Sequence, residues 1–297
     1  VAALAAAKGG TVPQDAGLLA EVANLVEQPR ALCGDFEPEY LDLPDPLLIT
    51  VMKKHQRYFP VLGPDGRLMP HFITVANGAA LDEDAVRYGN AAVIRARFAD
   101  AAYFWRKDGE QTLERFGAGL GGLSFQEKLG SMADKAARLT RLAPRLATWL
   151  GADVAVTTRA AALAKNDLCT SMVVDFTSLQ GVMGRAYALR SGEPEAVALA
   201  IEEQYLPRGA GDRLPDSLPG TALALADRLD SLVGLFAAGL RPKGANDPFA
   251  LRRAALGIAT ILVEKDLGLD LRAAVDAAAE LLPLPLTPET HAELLEF

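Results

Sequence analysis

Histidine and cysteine are nearly absent from this 297-residue chain: His55, His71 and His291, with Cys33 and Cys169. The two cysteines stand far apart and outside any Cys-x-x-Cys spacing. That excludes a disulfide framework and a cysteine-rich zinc site, and it fits a reducing cytoplasm. Positive charge is also short, with 30 Lys and Arg against 38 Asp and Glu for a net charge of −8. Broad binding to nucleic acid needs a cationic excess to displace counterions from phosphates, so any RNA contact here must be local. Aromatic residues make up only 6%. Long apolar runs are missing as well: the opening stretch Val1–Ala7 is too short to span a bilayer and has neither the basic start nor the cleavage site of a secretory signal.

What is present is Ala and Leu in quantity, with half of all residues hydrophobic. This balance favours helices packed through small and straight-chain side chains over sheets of β-branched residues. The length suits two domains. The helix that opens at Val1 is entered part-way through, and a helix signalled by Thr287 and Pro288 stops at Phe297, so both ends are expected to be cuts within a longer protein.

Residues 1–116 read as α+β. Asp15 can cap a helix to about Val26, and Asp45 with Pro46 can open another ending near Lys54. Strand patterns lie at Arg30–Cys33, Tyr58–Leu62 and Leu68–Ala76, the last two separated by the turn signal Gly63-Pro64-Asp65-Gly66. A helix from Asp82 to about Lys107, with Val86, Val93, Ala96 or Arg97, and Ala101 on one face, closes this part. Residues 117–123 read as a linker. Gly117, Gly119 and Gly122 match the spacing of a dinucleotide fingerprint, but a helix precedes them where that motif needs a strand.

Residues 124–297 read as an all-helical domain without strand-like alternation. Ser124 and Glu127 form a capping box, Pro144 should kink the first helix, and further helices are expected at about 153–173, 177–190, 194–205, 219–239, 248–265 and 271–281.

Three places could carry chemistry. Lys53, Lys54, His55, Gln56, Arg57 and Tyr58 sit where a helix hands over to a strand, an exposed basic-aromatic cluster able to contact phosphate and stack a base. On residue types alone, a solvated helix end is the simpler reading. Arg95 and Arg97 offer the same choice between a phosphate-binding face and a solvated network. His71, alone among apolar neighbours, reads as a structural histidine. Third, Asn166-Asp167 and the distant Asp227 resemble two stations of the HD-type phosphohydrolases, whose metal is held by imidazoles and carboxylates. Without histidines nearby, Asp167 and Asp227 could at best hold a hard cation weakly, and a structural Asp pair is the better reading.

Longer segments carry a more specific resemblance. They are Glu21-Val-Ala-Asn-Leu-Val-Glu-Gln-Pro29, Ile49-Thr-Val-Met-Lys-Lys-His-Gln-Arg-Tyr-Phe-Pro60, Arg95–Asp100, Phe125–Gly130, Leu179–Gly184, Ala200–Pro207 and Asp247–Arg253. In this order they resemble the beta subunit of the bacterial glycyl-tRNA synthetases built as α2β2 heterotetramers. The resemblance implies that residues 1–116 are similar to a B3/B4 domain and that the helical part is an HD-like domain. It implies tRNA binding and assembly as the work of this piece, with tRNA(Gly) and the alpha subunit as partners. ATP, Mg and the class II active site belong to the alpha subunit, and no cofactor or metal belongs to this piece, which should not charge tRNA by itself. Where the family has Lys-Ala-Asp, this chain has Lys165-Asn166-Asp167, which adds no good metal ligand. An editing role for the first domain ranks last, because a glycine pocket can exclude larger amino acids by size.

Overall fold

The computed structural model describes residues 1–297 as two compact units, Val1–Asp108 and Gly109–Phe297. The division comes ahead of the glycine segment, which is wound as a 3-10 turn, Gly117–Gly122, inside the second unit. A Cβ added at Gly117 or Gly119 would lie 3.0 Å from Asn166 Oδ1 or Cys169 Sγ, so the glycines are there for close packing.

In the first unit, β1 (Pro29–Asp35), β2 (Phe59–Leu62) and β3 (Leu68–Asn77) form an antiparallel sheet in the order β1-β3-β2. Phe59, Val61 and Ile73 pack with Leu18 and Val22 of α2 (Ala16–Leu25) and Ala5 of α1 (Ala2–Ala7). Asp15 caps α2 as expected, accepting from Leu18 N at 2.9 Å. Gly34 lies opposite Phe72, and a side chain at 34 would enter the Phe72 ring. The β2–β3 turn closes with Gly66 N donating to Gly63 O at 3.0 Å, and Gly66 takes φ +77°, which favours glycine. Pro60 lacks an N–H and the register shifts beside it; Leu62 instead exchanges both backbone hydrogen bonds with Thr11 at 2.8 Å each.

The helix α3 (Asp45–Thr50) continues into a π turn, Val51–His55, with Val51 and Met52 buried and the cations facing out. In α4 (Glu83–Asp108) the buried face is Ile94, Phe98 and Ala101, with Phe98 edge-on to Phe36 at 5.0 Å between ring centroids. Val93, expected on that face, is 44% exposed. The i, i+4, i+7 set containing the larger Ile and Phe buries more surface than the valine set, and it sets the helix rotation.

The second unit is a helical assembly around α11 (Leu218–Ala237), in turn preceded by α5 (Leu113–Phe116), α6 (Met132–Leu150), α7 (Val154–Leu163), α8 (Ser171–Asp175), α9 (Val182–Arg190) and α10 (Glu195–Glu203). It is followed by α12 (Leu251–Glu264), α13 (Leu271–Ala279) and α14 (Pro288–Glu296). The helices α6, α7, α10, α12 and α13 all pack against α11, which is apolar nearly all round and buried on nearly every face.

Two expectations fail here. Ser124 does not cap a helix: Ser124–Gln126 (β4) pairs with Gly130–Ser131 (β5) in a small hairpin, so one strand pair does exist beyond residue 123. The capping box is Ser131 with Asp134, which opens α6. Gly130, at φ +85°, permits it, because a Cβ there would collide with the Asp134 carboxylate. The helix then runs through Pro144 to Leu150. The helix expected at 153–173 is also broken. It stops at Leu163, turns 3-10 over Asn166–Cys169, and restarts as α8 with Thr170 Oγ1 accepting from Val173 N at 3.2 Å.

Candidate functional site

The break between α7 and α8 exists because its polar residues point inward. Lys165, Asn166 and Asp167 are all buried, and Asp167 is wholly shielded. Its Oδ2 accepts from Gly181 N at 2.6 Å and Gly184 N at 3.1 Å, which anchors the entry to α9. A Cβ on Gly184 would lie 3.0 Å from that oxygen. Asn166 Nδ2 donates to Leu113 O at 3.2 Å, so the asparagine serves backbone satisfaction. Burial pushes the Asp167 carboxyl up to about 6, against the pull of its two backbone donors and of Lys165.

Asp227 belongs to α11 and meets two ammonium groups. Lys165 Nζ lies 3.0 Å and Lys135 Nζ 3.2 Å from the same oxygen, Oδ1. Lys135 also reaches Asp230 Oδ2 at 3.0 Å and Ser231 Oγ at 2.8 Å. Arg138, one turn further along α6, grips Asp230 through Nε at 2.5 Å and Nη2 at 3.2 Å. All four cationic and anionic chains nearest the centre, Lys135, Lys165, Arg138 and Asp230, are buried.

The titrations follow from this geometry. Burial opposes ionisation of Asp227, but Lys135 and Lys165 outweigh it and hold the carboxyl well below its usual range. Burial likewise opposes the charge on Lys135, and there Asp227 and Asp230 together raise it. For Lys165 burial is the largest effect; the pull of Asp227, its one ion-pair partner, and of the more distant Asp167 does not offset it and the repulsion of Lys135, so its pKa falls. Its ammonium lies 4.5 Å from the centroid of the Tyr205 ring.

These residues do not fit a metal. No group of three or more His, Cys, Asp or Glu side chains comes together that could hold one. One carboxylate is occupied by lysines, and the other spends an oxygen on backbone amides. The positions a cation would take are filled by the protein's own ammoniums, and the alternative reading as a metal-dependent phosphohydrolase has no donor set to work with.

Several of the first-unit candidates are ion-paired. Lys53 pairs with Asp15, Arg57 Nε lies 2.6 Å from Glu21, and Arg95 Nε lies 2.5 Å from Glu37. Lys54, His55, Arg57, Arg95 and Arg97 are exposed, and Gln56 is half-buried. Tyr58 is not available to stack a base: it is 4% exposed, lies parallel on Phe72 at 4.7 Å, and its hydroxyl bonds Asn90. That corrects the reading of an exposed aromatic, since the residue begins the buried approach to β2. His71 is a satisfied structural histidine, with Nδ1 2.6 Å from Asp35 Oδ1, opposite it in the sheet.

Lys135, Arg138 and Asp230 were missed by motif reasoning, and Lys165 entered it only as part of the Lys165-Asn166-Asp167 pattern, with no role of its own. Their signal lies in the pattern: Lys135 and Arg138 share an i, i+3 face with Leu139 and Leu142, and Asp227 and Asp230 interrupt an otherwise apolar helix at the same spacing. A family model described as the glycyl-tRNA synthetase beta subunit matches residues 1–297.

The chain belongs to that family. A glycine–tRNA ligase beta subunit of Desulforudis audaxviator is 54% identical over 274 residues, which is 91% of this chain and 40% of that protein. Its counterpart from Pseudomonas fluorescens strain SBW25 is 50% identical over 272 residues, 92% of this chain and 40% of that relative. A Pseudomonas putida beta subunit is 47% identical over all 297 residues, 43% of its own length. The chain thus spans about 40% of the length of these relatives. No helix is long and apolar enough to cross a membrane.

Proposed function

We propose that this chain is the tRNA-binding and assembly part of a glycine–tRNA ligase beta subunit, supporting glycylation of tRNA(Gly) in an α2β2 enzyme whose active site, with ATP and Mg, lies on the alpha subunit. The first unit is a B3/B4-like domain and the second an HD-like domain without its metal. The observation that carries this reading is the engagement of Asp227 by Lys135 and Lys165: the place best suited to hydrolytic chemistry is occupied by an ion network. Family membership over the whole chain supports the larger setting.

The RNA contact we assign is the exposed edge formed by Lys54 and Arg57, with Arg97 and Arg95 on α4 as a second strip. Lys53 and Gln56 support that edge, and His55 flanks it. Phosphate contact from such cations is local, as an acidic chain requires.

In the full heterotetramer, Lys54→Ala and Arg97→Ala should each raise the Michaelis constant for tRNA and lower the slope of log affinity against log salt by about 1. Glycyl-adenylate formation should stay unchanged. Unaltered tRNA kinetics and salt dependence in both variants would remove this surface from the assignment.

A further inference from the structure

A cleft of about 460 Å³ opens beside the ion network, between the Gln204–Arg208 loop, the polar stretch of α11 and the start of α12. In a chain of net charge −8 this place is cationic. Arg208, Arg228 and Arg253 line it; its one lining carboxylate, Asp227, is already neutralised from behind by Lys135 and Lys165. The guanidinium of Arg228 is spent on the backbone carbonyls of Gln204, Ala224, Tyr205 and Pro207. Arg253 is exposed and pairs with no carboxylate, and the guanidinium of Arg208, also exposed, donates to Ser178 O and Gln180 O and lies 5.4 Å from the centroid of the Tyr205 ring.

A second observation points into the same cleft. Gln204 is wholly buried, and its Nε2 donates to Ala164 O at 2.7 Å and Ile201 O at 2.8 Å. Two carbonyl partners fix which end of the amide is nitrogen. Gln204 Oε1 is therefore a buried acceptor, and no group in the protein donates to it; the hydroxyl of Tyr205, another residue that lines the cleft, has no partner either. Such groups are costly unless a ligand answers them. Phe249, 43% exposed, adds an aromatic face at the rim.

We propose that this cleft binds one phosphorylated nucleoside unit, with its phosphate between Arg208 and Arg253, a sugar hydroxyl or base amine donating to Gln204 Oε1, and the base against Phe249. Guanidiniums suit phosphate through paired N–H donors, and the volume suits a single nucleotide and not a duplex. A free mononucleotide and the terminal nucleotide of an RNA present the same chemistry. The inference is independent of the tRNA contact assigned above, which concerns the first unit.

The test is titration of the intact chain with 5′-AMP, adenosine, inorganic phosphate and a short single-stranded RNA carrying a terminal phosphate, followed by calorimetry. Binding of AMP at one per chain, with adenosine silent and Arg253→Ala weakening it by roughly tenfold, establishes the site for free nucleotide. Tighter binding of the RNA with the same Arg253 dependence establishes the site and assigns it to an RNA end. Phe249→Ala should weaken AMP and leave phosphate unchanged. Because Arg253 is exposed and unpaired, its removal should not shift thermal unfolding. Adenosine binding as well as AMP, phosphate matching AMP, or no dependence on Arg253 in any arm overturns the proposal.

Discussion

Asp227 receives two ammonium groups on one oxygen, and this single residue decides what the second unit can do. Removing one partner from a buried ion pair leaves an uncompensated charge and costs about 3–5 kcal/mol. Asp227→Leu should therefore destabilise the chain to urea by about that much, because Lys165 loses its one carboxylate partner. Adding Lys165→Met to that variant should recover a good part of the loss, a coupling that a double-mutant cycle reads directly. Equal stability of Asp227→Leu and the parent would mean that the ion network carries no weight.

Asp167 gives the opposite pH behaviour. Its carboxyl is raised to about 6 from an ordinary 3.8, so the folded chain holds that proton more tightly than the unfolded chain. Its contribution is fully present at low pH and is lost as pH rises from about 4 to 6. Asp227, held down by its lysines, does the reverse: its contribution is lost as pH falls below its ordinary 3.8. Asp167→Asn keeps an acceptor for Gly181 and Gly184 but cannot ionise. Its stability relative to the parent should rise between pH 4.5 and 7 in urea titrations, and a flat difference would contradict the shift. At this scale the carboxylates were legible as candidates from Asp167 and Asp227, whereas the lysines were not. Charged residues in a helix read by default as solvated, and only their place on an apolar face betrays burial.

At the level of elements, the sheet and most helices followed from periodicity and caps: Asp15 and Thr287 accept from backbone N–H groups at the helix starts they were expected to open. The failures came where a local signal was outbid. Ser124 and Glu127 had the spacing of a capping box, but Gly130 in the left-handed region allowed a hairpin and moved the box to Ser131 and Asp134. The 153–173 helix broke where buried Lys165 and Asp167 needed partners that a continuous helix would have pointed elsewhere. If the glycine sets this boundary, Gly130→Ala should lower the melting temperature more than Ser131→Ala, which should cost about 1 kcal/mol as an ordinary cap loss. A milder effect of Gly130→Ala would place the boundary elsewhere.

At the scale of the molecule, two units arise from one composition: a small sheet with helices up to Asp108, then an Ala- and Leu-rich helical unit organised around α11. The α+β beginning and helical remainder were legible from alternation and its disappearance, but the boundary was not, because glycines at 117–122 serve tight packing as readily as they serve a linker. Family membership was carried by long ordered segments and by no short motif.

Lysine ammoniums occupy the place of a cation in the second unit. Metal analysis tests it most directly: the chain is incubated with excess manganese, desalted, and its metal content and unfolding midpoint are measured with and without chelator. Far less than one ion per chain and an unmoved midpoint are expected, since a ligand bound to the folded state alone must stabilise it. One ion per chain, with a raised midpoint abolished by Asp227→Asn, would contradict it.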